Sequence, residues 1–385
     1  MRKAPWCDDA LQRLNSRISC QFCRERLNPE WNTHAPPSKF AVFFATNRQF
    51  RGICIAVFTR RITEFSSNKA QKLMTPSSFK QRTLRRPESC EGVGLHSGAK
   101  LLLRLLPAPA GSGITFVRTD LANQPCVKAL AKNVVDTSLA TTLADGPARV
   151  ATVEHLLAAL FGLGIDNARI EINGPEVPIM DGSAAPFAAL VSSAGIREQD
   201  APKSFLVIRQ TVEVREGDKF ARFEPASRFG IDVTIDFRHP LIHDQSYELE
   251  FSDKTFTKEI ARARTFGFLR DVERLQAAGL AKGGSLENAI VVDDFNVLNP
   301  EGLRFSDEFV RHKILDALGD VSLVGLPVLG KMTAYKTGHA LNHRLVTEVL
   351  SNPANCSVVT ARASDVRREN LDMADLQGVL APFAT

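Results

Sequence analysis

Histidine and carboxylate side chains at helical spacing are the first chemical signal in this sequence. His312 and Asp316 are four residues apart in a helical segment, so both side chains project from one helix face. An imidazole and a carboxylate at this spacing can bind a borderline metal such as Zn²⁺. The same spacing also produces an ordinary hydrogen-bonded pair on a solvated face, which the spacing alone favours. Asp320 lies four residues further along and leans the same way.

A second signal is the adjacent pair Glu154 and His155 inside an otherwise apolar helical segment. Adjacent helical residues point about 100° apart, so the two side chains can border one cavity and do different work. Burying either alone is costly, so the pair is either hydrogen-bonded or functional. His339 is expected at a strand-to-helix junction, where a histidine serves as a cap, a surface residue or a functional group.

Taken together, these residues form a set suited to hydrolysis. His155, His312 and Asp316 supply three possible metal ligands and leave a fourth position open for water, as in catalytic zinc sites. Glu154 adds a carboxylate for proton abstraction, and His339 adds a further imidazole. The set suits metal-assisted hydrolysis of an amide or ester.

The elements predicted around these residues run in the same order in both halves of the chain. The first half has strands at 101–106, 113–117 and 167–172 and helices at 151–160 and 184–193, the first capped by Thr152. The second half has a hairpin of 205–214 with 219–223, strands at 230–237 and 332–335, and helices at 306–318 and 340–350. This order predicts an α+β fold with two similar domains, each a sheet packed with helices, and an active site between the domains.

The predicted domain limits follow changes in composition. The first domain is placed at 78–200 and the second at 204–355, joined by a charged linker at about 197–203, with a C-terminal tail at 356–385. Within the second domain, an insert at about 267–297 contains a helical pattern at 269–278 and a short strand at 288–292. This small βαβ-like excursion either covers an apolar groove or is a surface elaboration with its own small core.

Composition excludes several classes of protein. With 44% hydrophobic and 24% charged residues, the chain of 385 is neither collagen-like nor wholly disordered. No apolar run approaches the ~18 residues of a membrane span, so we expect a protein without stable membrane insertion. Seven cysteines at irregular spacing, with no secretory signal, argue against a disulfide scaffold and for a reducing compartment.

The positive charge is concentrated at the N-terminus. Residues 1–73 carry 13 Lys/Arg and 5 Asp/Glu, which leaves 35 basic and 38 acidic residues in the remainder. We expect residues 1–77 to be extraneous or disordered, either as a tail or because Met74 is the true start. An organellar transit peptide is the alternative, and it would change the expected cytoplasmic location to an organelle. A nucleic-acid partner is not expected, because the body of the chain is mildly acidic.

Six segments in order carry a resemblance to a known family: EGVGLHSG (91–98), TVEHLLAAL (152–160), GPEVPIMDGSAAPF (174–187), ARTFGFLRD (263–271), LNPEGLRFSDEFVRHKILDALGD (298–320) and YKTGHALNHRL (335–345). From about Thr83 to Leu350 the chain resembles the UDP-3-O-acyl-N-acetylglucosamine deacetylases of Gram-negative bacteria. The resemblance implies zinc-dependent hydrolysis of the acetamide of UDP-3-O-(3-hydroxyacyl)-N-acetylglucosamine, the committed step of lipid A biosynthesis. It implies one zinc ion per chain, with ferrous iron as the alternative in vivo.

The resemblance also implies a role for each matching residue. The zinc ligands would be His155, His312 and Asp316, and Glu154 would be the general base. His339 would act as a cation that stabilises the oxyanion and protonates the leaving amine. Asp320 would orient and charge His339, and Thr265 would help to hold the oxyanion. The residues implied in substrate binding are Lys313, toward a phosphate, and Phe266 and Phe268.

In this family the insert forms a passage for the fatty-acyl chain, which favours the groove-covering interpretation. The expected partner is the UDP-linked acylated glucosamine, and the expected state is a monomer. Two alternatives remain open: a zinc deacetylase acting on a nucleotide sugar without the acyl chain, and an RNA-binding α+β module. The absence of an RNP-like strand or a GxxG clamp argues against the second alternative.

Overall fold

The structure is a computed structural model that describes residues 79–361. The predictions for residues 1–77 and for the tail after residue 361 concern parts of the chain outside this range. In chain order the strands are β1 (Lys80–Leu84), β2 (Glu88–Val93), β3 (Lys100–Pro107), β4 (Ile114–Arg118), β5 (Cys126–Lys128), β6 (Val134–Asp136), β7 (Thr142–Asp145), β8 (Ala148–Val150), β9 (Ala168–Ile172), β10 (Ile196–Pro202), β11 (Ser204–Ile208), β12 (Val212–Glu216), β13 (Lys219–Glu224), β14 (Phe229–Ile235), β15 (Gln245–Glu250), β16 (Phe266–Phe268), β17 (Ile290–Val292), β18 (Val328–Tyr335) and β19 (Cys356–Thr360). The α-helices are α1 (Glu154–Gly162), α2 (Ala185–Ala194), α3 (Asp253–Thr255), α4 (Leu269–Ala277), α5 (Glu308–Ser322) and α6 (His339–Ser351), and a π-helical turn spans Phe256–Ile260.

The two largest sheets of the described region both contain parallel and antiparallel pairs. The first has the strand order β2-β3-β9-β4-β5. In β3, Leu101, Leu103 and Leu105 are buried while their neighbours are exposed, which is the alternation of a strand with one face on the core. The second sheet has the order β12-β13-β18-β11-β19, with β14 between β15 and β18. Strands and helices thus occur in both halves, and the predicted α+β class is confirmed.

Helices α1 and α5 pack against each other within the core of the described region. Gly319 in α5 makes this approach close: a Cβ at this position would lie 2.2 Å from the carbonyl oxygen of Glu154 in α1. Apolar residues of both halves, such as Leu156, Leu160 and Leu315, are at most 1% exposed and belong to one continuous core. The start of α1 therefore lies directly against α5, which carries the His312–Asp316 spacing.

The predicted N-cap of α1 is wrong. Thr152 has a φ of 57° and its hydroxyl donates to Oε1 of Glu176 at 3.1 Å, so it does not cap the helix. The helix begins at Glu154, and the preceding Val153 has no side-chain cap. The Thr152 hydroxyl instead satisfies a carboxylate that is 2% exposed.

The predicted hairpin of 205–214 with 219–223 is correct only in its second part. The predicted strand is interrupted between β11 and β12, where the backbone N–H of Arg209 donates to the Asn355 carbonyl at 2.8 Å. β12 pairs with β13 as a hairpin, but β11 runs parallel to β18 and antiparallel to β19. The polar residues Arg209 and Gln210 mark this break, but buried apolar residues on both sides of it made the segment resemble one strand.

Two segments predicted to lie outside the sheets, the linker and the start of the C-terminal tail, form strands. The expected linker at 197–203 overlaps β10, which pairs antiparallel with β1. The predicted limit at 355 excludes β19, which pairs with β11 from Ser204 opposite Thr360 to Ile208 opposite Cys356. Much of β10 and β19 is exposed (Val358 is 61% exposed), so their sequences do not show the apolar alternation of a core strand.

The βαβ excursion in the second half is confirmed. Strands β16 and β17 pair in parallel, and α4 lies between them in sequence. Helices α5 and α6 are also present, with α5 starting two residues later than predicted and ending four residues later. The extra turn places Asp320 within the same helix as His312 and Asp316.

Candidate active site

The three predicted metal ligands come together between α1 and α5. His155 is the second residue of α1, and His312 and Asp316 are one turn apart in α5. Their ligand atoms all lie within 4.8 Å of one another, and each residue is at most 4% exposed. Nε2 of His155 is 3.4 Å and Nε2 of His312 is 3.2 Å from Oδ1 of Asp316. Two imidazoles and a carboxylate thus converge from two helices.

The chemistry of this donor set fits a divalent metal. Burial lowers the pKa of His312, which favours the neutral imidazole that a metal needs. Burial opposes the charge on Asp316, but His312 and Lys313 outweigh it and hold the pKa of the carboxyl well below its usual value. Nδ1 of His312 lies 3.0 Å from the Ala263 carbonyl, so Nε2 is left to face the other ligands. An N₂O set with a position left for water is that of a catalytic zinc site.

Glu154 lies beside these ligands as a buried carboxyl. Its Oε2 accepts the N–H of Thr141 at 3.0 Å, and its Oε1 is 3.8 Å from Nε2 of His339. Burial raises the pKa of Glu154 to about 7; the charge of His339 opposes this shift, and the carboxylates of Asp316 and Asp320 add to it. A carboxyl with this pKa changes protonation near neutral pH, as a general base does.

His339 is the first residue of α6, at the predicted strand-to-helix junction. Its Nδ1 is 2.9 Å from Oδ2 of Asp320. Burial opposes a charge on this imidazole, but Asp320 and then Glu154 outweigh it and raise the pKa of His339 to about 10. The side chain is therefore an imidazolium at neutral pH, facing Glu154 with one nitrogen and Asp320 with the other.

Two further residues, neither of them predicted from the sequence, complete the contacts of Asp320. The Thr141 hydroxyl donates to Oδ1 of Asp320 at 2.6 Å, and Nδ2 of Asn342 donates to Oδ2 at 2.9 Å. Asn342 follows His339 by three residues in a helix, a spacing that could have indicated a shared face. Thr141 has no such signal, because it reaches the site from a loop before β7.

Thr265 lies at the junction between the insert and the body of the protein. Its backbone N–H donates to the Gly182 carbonyl at 2.8 Å, and its carbonyl accepts the N–H of Ile290 at 2.7 Å. Gly182 has a φ of 82°, and a Cβ there would lie 2.2 Å from the Asn288 carbonyl, so glycine is required. The backbone of Thr265 is thus fixed from both halves of the chain.

Of the three residues implied in substrate binding, Lys313 lies on α5 and Phe266 and Phe268 lie on β16. Nζ of Lys313 donates to Oδ2 of Asp316 at 2.7 Å and lies 5.6 Å from the centre of the Phe266 ring. The Phe266 ring is 6.4 Å from the imidazole of His312. Phe268 packs further along the strand, 5.4 Å from the ring of His239. Lys313 and Phe266 therefore border the ligand cluster, while Phe268 lies in the adjacent aromatic group.

A cavity of about 360 Å³ lies at the other end of α1. Its wall includes Leu157, Leu160, Phe161 and Phe229, and none of the ligand or acid–base residues above. The candidate catalytic residues therefore lie at the start of α1, away from this cavity.

No helix within residues 79–361 is long and apolar enough to cross a membrane.

Comparisons with known proteins match most of the chain to one family. A model of the family described as UDP-3-O-acyl N-acetylglycosamine deacetylase matches residues 81–351. A UDP-3-O-acyl-N-acetylglucosamine deacetylase of Myxococcus xanthus is 64% identical over 307 residues, covering 80% of this chain and 98% of that protein. Proteins of the same name are 59% identical in Anaeromyxobacter sp., over 74% of this chain and 93% of the relative, and 54% identical in Thioalkalivibrio sulfidiphilus, over 71% and 90%.

Proposed function

The chain belongs to the UDP-3-O-acyl N-acetylglycosamine deacetylase family, and on that premise we propose how its buried site performs the reaction. The enzyme is an amidohydrolase of lipid A biosynthesis that removes the acetyl group of UDP-3-O-acyl-N-acetylglucosamine. The observation that carries the proposal is the convergence of His155, His312 and Asp316 beside Glu154 and His339.

We infer that the three ligands hold one zinc ion, with ferrous iron as the alternative. A bound zinc ion supplies a Lewis acid and acidifies a water molecule that reaches it. The neutral His312 and the ionised Asp316 support this assignment, because both are in the protonation state that metal binding requires. Lys313, which neighbours Asp316, is the cation available to meet a phosphate of the substrate.

Glu154 takes the proton of the attacking water in this mechanism. Its pKa of about 7 makes the carboxylate available near neutral pH and keeps it basic enough to accept a proton. The carbonyl carbon of the acetamide is attacked, and negative charge develops on the carbonyl oxygen. The hydroxyl of Thr265 and the imidazolium of His339 are the hydrogen-bond donors for that oxygen.

His339 then supplies a proton to the leaving nitrogen. Its pKa of about 10 ensures that the proton is present at neutral pH, and Asp320 holds the ring through Nδ1 so that Nε2 faces the reaction. The products are acetate and the free amine. Three hydrogen bonds, from Thr141, His339 and Asn342, hold the Asp320 side chain in place against the ring.

The passage for the acyl chain is assigned to the insert around β16, α4 and β17. Phe266 and Phe268 support this assignment, because they are half-buried aromatic residues that extend from the ligand cluster into the insert. The expected cytoplasmic location and monomeric state stay predictions.

The test is acetate release by the full-length protein, measured with UDP-3-O-(3-hydroxyacyl)-N-acetylglucosamine and with UDP-N-acetylglucosamine. We expect efficient turnover of the acylated substrate and little or none of the other. Equal turnover of both would overturn the acyl-passage assignment, and turnover of neither by folded, metal-loaded protein would overturn the mechanism.

A further inference from the structure

A fully buried ion pair lies directly behind the ligand cluster. Arg264 is 1% exposed and Glu308 is 0% exposed. Oε1 of Glu308 accepts from the backbone N of Arg264 at 3.0 Å and from its Nε at 2.9 Å. Oε2 accepts from Nη2 of Arg264 at 3.2 Å and from the backbone N of Arg304 at 2.6 Å. Four donors thus satisfy a carboxylate that water does not reach.

Both terminal nitrogens of Arg264 also donate to groups other than Glu308. Nη1 donates to Oε1 of Glu301 at 2.5 Å, and Nη2 donates to the Gly302 carbonyl at 2.7 Å. The planar guanidinium therefore makes hydrogen bonds through all three of its nitrogens at fixed angles, which an ammonium or an apolar side chain does not reproduce. Because buried ion pairs contribute little net stability compared with apolar residues of similar volume, stability alone does not account for this pair.

The pair is connected to the proposed metal site through α5. Glu308 and His312 are four residues apart on this helix, so they share a face. Glu308 binds Arg264, and His312 binds the carbonyl of Ala263, the preceding residue. The segment 263–264 is therefore attached to α5 at two successive turns.

The same segment leads directly into Thr265. The backbone of Thr265 is held by Gly182 on one side and Ile290 on the other. Arg264 thus lies between Ala263, whose carbonyl orients the imidazole of His312, and Thr265, which is proposed to bind the developing oxyanion.

We propose that Arg264 and Glu308 are positioning residues that hold the imidazole of His312 and the hydroxyl of Thr265 in one rigid frame. The inference rests on the roles proposed above for those two residues. The pair touches neither substrate nor metal; it acts by fixing residues 263–265 against α5. Its loss should weaken metal binding and transition-state stabilisation while leaving substrate binding nearly intact.

The main test removes both charges together, because removing one would leave an unpaired buried charge. We expect the double variant Arg264→Met with Glu308→Leu to fold, to bind zinc roughly tenfold or more weakly in a chelator competition, and to lose kcat by roughly tenfold or more at nearly unchanged KM. A folded double variant with zinc affinity and kcat within about twofold of the wild type would overturn the proposal.

Arg264→Lys decides the question if the double variant does not fold. Lysine keeps the charge but cannot make the forked contacts to Glu308, Glu301 and Gly302. We expect weaker zinc binding and lower kcat in a folded protein; wild-type values of both would overturn the proposal.

A control is the ion pair of the buried Lys203 and the partly buried Asp166, whose charged atoms are 2.9 Å apart beyond the other end of α1. The double variant Lys203→Met with Asp166→Asn should change the melting temperature but neither zinc affinity nor kcat. Equal effects of the two double variants on zinc affinity would show that any buried pair acts in this way and would overturn the specific role.

A comparison in the Thr265→Ala background separates this inference from the mechanism. If the pair acts through Thr265, its removal lowers kcat less in that background than in the wild type. Full additivity would overturn the link to Thr265. If Thr265→Ala alone leaves kcat unchanged, the proposed role of Thr265 in the mechanism is wrong. The zinc affinity of the Arg264→Met, Glu308→Leu double variant still tests the link to His312 in that case.

Discussion

Nδ1 of His339 lies 2.9 Å from Oδ2 of Asp320, and Nε2 of the same ring lies 3.8 Å from Oε1 of Glu154. The imidazole of His339 therefore lies between two acidic side chains: Asp320, which orients the ring, and Glu154, the proposed general base. Burial raises the pKa of Glu154 to about 7 although the charge of His339 opposes the shift, whereas Asp320 and Glu154 outweigh burial at His339 and raise its pKa to about 10. Between those values the base is deprotonated while the acid keeps its proton, which is the state the mechanism requires.

Glu154→Gln should remove the general base and keep the shape of the site. We expect kcat to fall by about 10²–10⁴. In the wild type, kcat/KM should rise with pH through about 7 as Glu154 loses its proton, and the variant should lack this acidic limb. A pH profile of kcat/KM for both proteins measures this. An unchanged acidic limb in the variant would assign that titration to another group.

Asp320→Asn should lower the pKa of His339, because the carboxylate that stabilises the imidazolium is gone. The alkaline limb of kcat/KM, expected near pH 10 in the wild type, should move to lower pH by about one unit or more. NMR titration of the His339 ring measures the same shift directly. An alkaline limb that does not move would mean that His339 is not the group that must stay protonated.

The ion pair of His339 and Asp320 also predicts how the stability of the protein depends on pH. The pKa of His339 is raised from 6.5 to about 10 in the folded state, so the ion pair stabilises the protein fully below pH 6.5. This contribution is lost as the pH rises from 6.5 through 10. The difference in unfolding free energy between the wild type and Asp320→Asn, measured by denaturant titration, should therefore shrink across that range. A difference that grows with pH would contradict the assignment.

Gly319→Ala tests the close approach of α1 and α5. The new Cβ would lie 2.2 Å from the Glu154 carbonyl oxygen, so the helices must move apart. We expect a loss of about 1–3 kcal/mol in unfolding free energy and a lower kcat, because Glu154 moves with the backbone of α1. Gly230→Ala in β14 is the control, since its Cβ would make an ordinary contact at 3.7 Å with the Leu249 carbonyl. Equal stability of the two variants would show that the helices are not held at their closest approach.

Local spacing predicted the parts of the site that lie on helices. Helical periodicity placed Glu154 and His155 on one helix and His312 and Asp316 on another, although the His312–Asp316 spacing alone favoured an ordinary hydrogen-bonded pair. Asp320 lay beyond the predicted end of the second helix. Their convergence was not visible in the spacing, because it depends on two helices that are separated by more than 140 residues. The motifs of the family supplied that information for the residues they contain.

The sequence did not reveal groups that reach the site or the sheets through long-range contacts. Thr141 enters from a loop, and its hydrogen bond to Asp320 joins residues 179 positions apart. β10 and β19 were predicted as a linker and a tail, because edge strands that face solvent lack an apolar pattern. The N-cap at Thr152 was wrong for a related reason: a distant partner, Glu176, takes up its hydroxyl.

Metal removal and restoration test the central claim most directly. The full-length protein would be assayed for acetate release as purified, after a chelator has removed the metal, and after one equivalent of zinc has been added back, with the metal content measured each time. His312→Ala would be carried through the same steps. The account predicts that the wild type loses and regains activity with its metal, and that the variant neither holds zinc at stoichiometric level nor recovers. Full activity of metal-free wild type, or stoichiometric zinc with full activity in His312→Ala, would contradict it.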